Sequence, residues 1–262
     1  MNLFDTHCHL DLPAFDQDRT DVLSFARNAG VRHLLVPATE RKGWQSLLDF
    51  CVRDTCLYPA LGLHPVLLKE HQDDDIDILE TLVQQQRPVA IGEIGLDYWI
   101  KELDKSKQQT IFEEQLKLAE KYRLPVVLHV RKAHDEVLKT LKNHDLPGGI
   151  CHAFNGNLQQ AEKYIHLNFK LGFGGMLTYP NANKLHRLAT ELPIESLVLE
   201  TDAPDMTGAA HQYQRNSPAY LPEVLEILAK LRCRDPAEIA QQTTDNALQI
   251  INLGKVGATQ PS

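Results

Sequence analysis

The chain has 262 residues, 43% of them hydrophobic, and a formal net charge of −8 at pH 7. A chain of this length can bury a substantial core and is close to the roughly 250 residues of a single eight-stranded β/α barrel. The negative charge argues against broad electrostatic adhesion to nucleic acid, although a bound metal pair can reverse the charge locally.

The N-terminal segment MNLFDTHCHLD has no basic stretch followed by an apolar one, and no apolar run in the sequence reaches the roughly 20 residues that span a bilayer. The five cysteines are odd in number and include no C-x-x-C pair, so neither a disulfide framework nor a thiolate zinc site is suggested. We therefore expect a cytoplasmic protein with reduced thiols and no membrane contact, and the sequence indicates no protein partner.

Short runs rich in Val, Leu and Ile recur along the chain, and each is followed by a longer segment with helical periodicity. This alternation predicts repeated β-then-α units, and eight such strands close a parallel barrel. The predicted strands are Leu3–Thr6, His33–Ala38, Tyr58–Leu63, Val89–Ile94, Pro125–Val130, Gly149–Ala153, Phe169–Gly174 and Leu197–Thr201.

The segments between these runs predict the helices of the barrel. Asp104–Tyr122 has one apolar face and one charged face, as a helix packed on a barrel requires. Pro180 and nearby Asn residues interrupt the helical pattern after the seventh strand, and two further helical patterns begin near Leu221 and Asp235. We therefore predict an α/β fold in which residues 1–262 form one domain, a (β/α)8 TIM barrel with an extra C-terminal helix.

His7 and His9 lie two residues apart on a predicted strand, and this spacing turns both imidazoles to the same face. Together they can hold one metal ion, although a His-x-His pair also arises by chance. Cys8, between them, points to the opposite face and is expected to pack rather than to bind.

Further side chains of the metal-binding type fall near the C-terminal ends of other predicted strands, namely Glu93, His129, His152 and Asp202. Barrel enzymes place their active sites at this rim. Taken singly, each has an ordinary structural explanation, because carboxylates pair with bases or cap turns and buried histidines are hydrogen bonded. Taken with the His-x-His pair, they predict a metal site.

The number of candidate ligands favours two ions. One catalytic zinc ion usually takes about three protein ligands and a water molecule. Paired metals about 3.5 to 4 Å apart accommodate more ligands and support hydrolysis. Mixed nitrogen and oxygen ligands suit Zn, Mn or Fe, and four imidazoles are less typical of Mg, so we predict two divalent ions and leave Zn, Mn and Mg open.

Six motifs carry a resemblance to known proteins. They are DTHCHLD at 5–11, GLHP at 62–65, GEIGLD at 92–97, LHVR at 128–131, CHAFNG at 151–156 and ETDAP at 200–204. In this order they resemble the TatD family of metal-dependent deoxyribonucleases, within the amidohydrolase-like barrels, and the match runs nearly from end to end. A single short motif is weak, whereas six in the right order are specific.

The resemblance implies two metal subsites that share a carboxylate. They would be formed by His7, His9 and Asp202 for one ion and by His129 and His152 for the other, with Glu93 as the bridge. The resemblance also implies that Asp202 accepts a proton from the attacking water, so Asp202 and Glu93 are the expected catalytic residues.

Three residues near these ligands have two interpretations each. His64, in GLHP, is similar to a family position near the substrate, but it can equally be a hydrogen-bonding partner of the ligands. Arg131 can clamp a substrate phosphate with its guanidinium or form an ordinary ion pair on the following helix. Asp97 can position a ligand or serve only its turn.

The predicted rim loops carry features that bear on the substrate. Tyr98, Trp99 and Tyr213 can stack on a base or pack against neighbouring loops. Asn155 and Ser217 depart from the common family pattern, in loops whose variation changes substrate choice on a constant scaffold.

We therefore expect a divalent-metal-dependent hydrolase of phosphoester bonds, a TatD-like deoxyribonuclease of the 3′-exonuclease type that acts on DNA ends or a small phosphodiester. The alternative is an amidohydrolase-type enzyme that cleaves a C–N or C–O bond in a small molecule, since related barrels use similar metal pairs. Many of those enzymes bridge their metals with a modified Lys on the fourth strand, where this chain has Glu93. A third interpretation is a noncatalytic metal-binding protein, but structural sites are usually closed by their ligands.

Overall fold

The computed structural model describes residues 1–256, and over that range eight parallel strands form one sheet. Strands that follow each other in the chain are neighbours in the sheet. The strands are β1 (Leu3–Asp5), β2 (Val31–Pro37), β3 (Leu57–Leu61), β4 (Ala90–Asp97), β5 (Val126–Arg131), β6 (Gly149–Cys151), β7 (Phe169–Phe173) and β8 (Leu197–Leu199). The eight predicted strands and the TIM-barrel fold are confirmed.

The sheet closes into a barrel between the segments that follow β1 and β8. Asp202 N donates to His7 O at 2.8 Å, and His9 N donates to Ala203 O at 2.8 Å. His7 and His9 therefore lie just beyond the end of β1 rather than on it. The closing hydrogen bonds still hold their backbone extended, and they join it directly to Asp202.

Nine α-helices surround the barrel within residues 1–256. They are α1 (Arg19–Asn28), α2 (Arg41–Cys51), α3 (Asp75–Gln86), α4 (Lys105–Tyr122), α5 (His134–Leu141), α6 (Leu158–His166), α7 (Asn183–Glu191), α8 (Leu221–Arg232) and α9 (Pro236–Val256). The predicted helix at 104–122 begins one residue later because Asp104 caps it, accepting hydrogen bonds from Ser106 N and Lys107 N. None of the helices in this range is long and apolar enough to cross a membrane.

The additional helix α9 packs against the interior of the barrel. A cluster of buried side chains connects α9 with the six strands from β1 through β6 and with β8. It includes Phe4, Val127, Ile150, Ala247 and Ile250. These strand residues lie on the N-terminal side of the predicted ligands. Because α9 covers that end of the barrel, the C-terminal rim is left open for a site.

Candidate metal centre

The C-terminal rim of the barrel holds an open pocket of about 420 Å³. Its lining consists of His9, His64, Glu93, His129, Val130, Arg131, His152, Ala153, Asn155, Asp202, Asp205 and Met206. His7, the remaining predicted ligand, is fully buried beneath them. Among the described residues, the groups of side chains that could hold a metal ion all lie at this pocket.

The first cluster consists of His7 Nε2, His9 Nε2, Glu93 Oε2 and Asp202 Oδ1. His7 Nε2 is 3.2 Å from His9 Nε2 and 3.0 Å from Glu93 Oε2. Glu93 Oε2 is 3.3 Å from His9 Nε2. Asp202 Oδ1 is 3.7 Å and 3.6 Å from the two imidazole nitrogens. Ligands bound at about 2.0–2.1 Å lie about 3.3 Å apart on a tetrahedron, so these four atoms fit one divalent ion.

The second cluster forms around the other oxygen of Glu93. Glu93 Oε1 is 3.1 Å from His129 Nδ1 and 3.9 Å from His152 Nε2. His152 Nε2 is also 3.7 Å from Asp202 Oδ2. Glu93 thus presents one oxygen to each cluster, and the structure brings all six predicted ligands together.

His64 lies beside the second cluster with its Nε2 3.4 Å from Glu93 Oε1. Its Nδ1 accepts a hydrogen bond from Val66 N at 3.1 Å. Burial lowers the pKa of His64 to about 4, so the ring is neutral and carries its proton on Nε2. His64 Nε2 therefore donates a hydrogen bond to His129 Nδ1, at 3.2 Å, and has no lone pair for a metal ion.

Three of the ligand imidazoles have an oxygen atom on their far side. His9 Nδ1 is 2.9 Å from Pro37 O, His129 Nε2 is 3.1 Å from Asp97 Oδ2, and His152 Nδ1 is 3.1 Å from Glu200 Oε1. The hydrogen bonds of His9 and His129 would hold the proton on the far nitrogen and leave the lone pair of the near nitrogen for a metal ion, whereas Glu200 contacts His152 as an ion pair only. The ligand set is therefore oriented as a metal site requires.

Asp97 combines the two roles that the sequence left open. Its Oδ2 lies behind His129, while its Oδ1 accepts hydrogen bonds from Trp99 N at 2.9 Å and Ile100 N at 3.2 Å. The same carboxylate thus positions a ligand and fixes the loop that follows β4.

Glu200 was not singled out from the sequence, although it begins the ETDAP motif. Its side chain is 1% exposed, and its Oε1 accepts a hydrogen bond from Ala153 N at 2.6 Å. A Cβ atom at Gly172 would lie 2.0 Å from Glu200 Oε2, so the carboxylate occupies space that only glycine leaves free. The signal was its spacing of two residues from Asp202, which directs both side chains into the barrel.

The buried charges of the site depend on each other. Burial opposes ionisation of Glu93, but the neighbouring imidazoles, His7 foremost, hold the pKa of Glu93 well below its usual range. Burial raises the pKa of Asp202 to about 6, against the effect of His152 and His9. Although burial lowers them, the nearby carboxylates raise the pKa of His9 to about 9 and that of His152 to about 10. A metal ion must therefore displace protons to bind here.

Arg131 ends β5 and lines the pocket. It forms no ion pair with any carboxylate in residues 1–256, so the ordinary ion pair considered from the sequence is not formed. Its guanidinium carbon lies 5.1 Å from the centre of the Trp99 ring. The guanidinium is therefore available to an anionic ligand in the pocket.

The fold and the site define a metal-dependent hydrolase built on a TIM barrel. The family model described as TatD related DNase matches residues 4–252, and the chain belongs to the TatD family. YjjV of Escherichia coli K12, named an uncharacterized metal-dependent hydrolase, is 44% identical over 253 residues that cover 95% of this chain and 97% of YjjV.

A solved structure and a second relative agree with this assignment. The crystal structure of the E. coli K12 YjjV protein has a TM-score of 0.92 at 43% identity and covers 95% of this chain and 98% of its own. A protein of Salmonella typhimurium LT2 named 3′-5′ ssDNA/RNA exonuclease TatD is 33% identical over 253 residues, which cover 94% of this chain and 97% of that protein.

Proposed function

We propose that the chain hydrolyses phosphodiester bonds in nucleic acid, as a deoxyribonuclease that acts at 3′ ends with two divalent ions. The observation that carries this proposal is the position of Glu93, whose two oxygens each contact a separate cluster at 3.0 and 3.1 Å. The exonuclease name of the Salmonella relative supports nucleic acid as the substrate class.

The predicted ligands divide between the two ions according to which oxygen of Glu93 they lie near. His7, His9 and Asp202 would hold one ion. His129 and His152, which lie 3.1 and 3.9 Å from Glu93 Oε1, would hold the other, and Glu93 would be shared. Bound ions of this kind supply positive charge that activates water and stabilises the charge developing on a phosphoryl group. Proton transfer and substrate binding are left to the side chains of the pocket.

Asp202 is the proposed proton acceptor. Its Oδ1 belongs to the first cluster, while Oδ2 lies 3.7 Å from His152 Nε2, and its side chain is 14% exposed to the pocket. A carboxylate in that position can take the proton of the attacking water at Oδ2.

Arg131 and His64 are the proposed substrate-binding residues. Both line the pocket, and Arg131 presents an unpaired guanidinium that matches two phosphate oxygens. His64 would offer its Nε2 proton to the substrate once a metal ion takes the His129 Nδ1 lone pair, which that proton contacts here. Together they would orient the scissile phosphate. An amide or a lactone carries no phosphate and would not need these two residues for that purpose.

The test removes the metal from purified protein and restores Mg, Mn, Zn or Co separately. We expect metal-dependent cleavage of end-labelled single-stranded DNA and of bis(p-nitrophenyl) phosphate. The Asp202→Asn variant should lose about 100-fold or more in kcat, because it lacks the proton acceptor. Asp49→Asn, on the exposed face of α2, is the matched control and should keep the wild-type rate.

Two results would contradict the proposal. Equal cleavage by Asp202→Asn would trace the activity to a contaminant. A folded, metal-loaded protein that cleaves amides or lactones but no phosphodiester would instead be the small-molecule hydrolase considered as the alternative.

A further inference from the structure

A cationic patch with one exposed aromatic ring adjoins the metal pocket. We call this patch the rim platform and define it as Trp99, Arg131, Lys132 and Lys184. Trp99 is 56% exposed, and its ring centre is 5.1 Å from the Arg131 guanidinium carbon and 5.9 Å from Lys132 Nζ. Lys184 reaches the same region, where its ammonium donates a hydrogen bond to Asn155 O.

The platform is continuous with the catalytic pocket. Arg131 and Asn155 both line that pocket, so each forms part of its wall and also contacts a platform residue. Asp97 connects the rim platform with the metal pocket, because its Oδ1 accepts a hydrogen bond from Trp99 N and its Oδ2 lies 3.1 Å from His129 Nε2. A chain that enters the pocket past Arg131 would therefore run over the Trp99 ring.

The charge of the platform is uncompensated. None of its three cations forms an ion pair with a carboxylate in the described part of the chain. By contrast, Arg41, Arg123 and Arg215 elsewhere on the surface each pair with an aspartate. In a chain with a net charge of −8, an unpaired group of cations at the mouth of a site indicates an anionic ligand.

The backbone holds one of these cations in an uncommon conformation. Lys132 follows β5 with a φ of 57°, in the left-handed region that residues with a side chain rarely adopt. The strand therefore stops at Arg131, and the Lys132 side chain remains beside Trp99. Burial, together with the charge of Lys132, lowers the pKa of Lys184.

We propose that the rim platform binds the nucleotides that adjoin the scissile phosphate in a single strand. One base stacks on the Trp99 indole, and the flanking phosphates contact Lys132 and Lys184. Bases inside a duplex are stacked on both faces, whereas unpaired bases can turn a face to an aromatic side chain, so this geometry favours single strands over duplexes. Because the rest of the protein carries a net negative charge, the bound segment of the strand is limited to a few nucleotides. This inference rests on the proposed phosphodiesterase function.

The test compares a short single-stranded oligonucleotide with bis(p-nitrophenyl) phosphate, which has no flanking nucleotide to occupy the rim platform. The measured quantity is the ratio of their kcat/KM values. We expect Trp99→Ala to lower this ratio about 10-fold through the loss of one stacked base, and Trp99→Phe to restore most of it. Phe25→Ala is the control, since Phe25 is an aromatic residue of similar exposure, 62%, on α1.

A binding measurement tests the lysines without turnover. A labelled phosphorothioate oligonucleotide is titrated with the metal-loaded protein at several salt concentrations. We expect the Lys132→Gln/Lys184→Gln variant to reduce the slope of log K against log salt by about 0.7 for each lysine, because each lysine contacts one phosphate. The control is Lys142→Gln/Lys163→Gln, which removes two exposed lysines from the outer helical surface and should keep the slope.

The outcomes separate the platform from the proposed function. If the wild-type protein cleaves neither bis(p-nitrophenyl) phosphate nor the oligonucleotide with any metal, the phosphodiesterase function itself is refuted. If it cleaves that substrate and Trp99→Ala leaves the ratio unchanged, only the platform is overturned. Equal competition by polyphosphate and by the oligonucleotide would also overturn it, because polyphosphate has no base to stack.

Discussion

Glu200 lies directly behind His152, with its Oε1 3.1 Å from the far ring nitrogen. A carboxylate in this position fixes the ring and makes the ligating nitrogen more basic. The carboxylate fits only because residue 172 is glycine. Glu200 is therefore a positioning residue that acts on the second cluster through His152.

We expect Glu200→Gln to weaken metal binding at the second cluster by about 10- to 100-fold, because the amide lacks the negative charge that lies 3.1 Å from the His152 ring. Gly172→Ala should have a similar effect, since it displaces the same carboxylate. Competition with a chelator of known affinity measures the change. Glu226→Gln, on the exposed face of α8, is the control. Wild-type affinity at both subsites in Glu200→Gln would limit Glu200 to a packing role.

His134 begins α5 at the edge of the same rim and is hydrogen bonded as a neutral ring. Its Nδ1 lies 3.2 Å from Tyr164 Oη, and its Nε2 lies 3.2 Å from Asn155 Oδ1. Burial lowers the pKa of His134 below its usual 6.5, with Lys184 adding to the effect, and the Asn155 hydrogen bond and Asp135 opposing it. The unfolded chain therefore binds more protons at this position just below pH 6.5 than the folded chain does.

It follows that His134 makes its full contribution to stability above pH 6.5 and loses part of it as the pH falls below that value. We expect the urea midpoint of the wild type to fall more steeply between pH 7 and pH 5 than that of His134→Gln. Comparing the two proteins cancels the loss of metal at low pH, which both share. Parallel pH profiles would contradict this prediction.

At the level of elements, the strands were predictable because their apolar runs and their spacing are local properties of the sequence. The ligands followed from the strands, since Glu93 and His129 lie in β4 and β5 and His152 comes directly after β6. The orientation of His64 was not predictable, because it depends on a hydrogen bond from Val66 N in the folded turn.

The region after β7 was not predictable for a different reason. The chain there forms a 3-10 helix at Gly175–Thr178 before α7 begins. A Cβ atom at Gly175 would lie 2.4 Å from Met206 O, so this turn is packed tightly against the long loop after β8. A contact between segments this distant in the chain has no local sequence signal.

The helix α9 should contribute to stability without contributing to the site. Ile250 is 1% exposed and belongs to the cluster that joins α9 to the barrel strands. We expect Ile250→Ala to lower the free energy of unfolding by about 2 to 5 kcal/mol, as large-to-small core substitutions do, while the folded protein keeps its turnover. Urea unfolding measures the loss, with exposed Gln241→Ala as the control. A change below about 0.5 kcal/mol, typical of surface positions, would contradict the packing of α9.

The two ends of the barrel have different roles, because packing with α9 stabilises the N-terminal end and the candidate metal site lies at the C-terminal end. The end covered by α9 is apolar, and the opposite end collects four imidazoles and two carboxylates around one pocket. The net charge of −8 repels anionic ligands in general, so we expect the approach of a nucleic acid to depend on bound metal ions and on the cations of the rim platform. Oligonucleotide binding should accordingly be weak in the metal-free protein.

The central claim is that Glu93 joins two metal subsites, and anomalous diffraction from crystals of the Mn- or Zn-loaded protein tests it most directly. We predict two anomalous peaks about 3.5 to 4 Å apart on either side of the Glu93 carboxylate. One should be bonded to His7, His9 and Asp202. The other should be bonded to His129 and His152, the two imidazoles that we assign to Glu93 Oε1. A single peak under saturating metal, or a second ion bonded to His64 Nε2 in place of His152, would contradict the account.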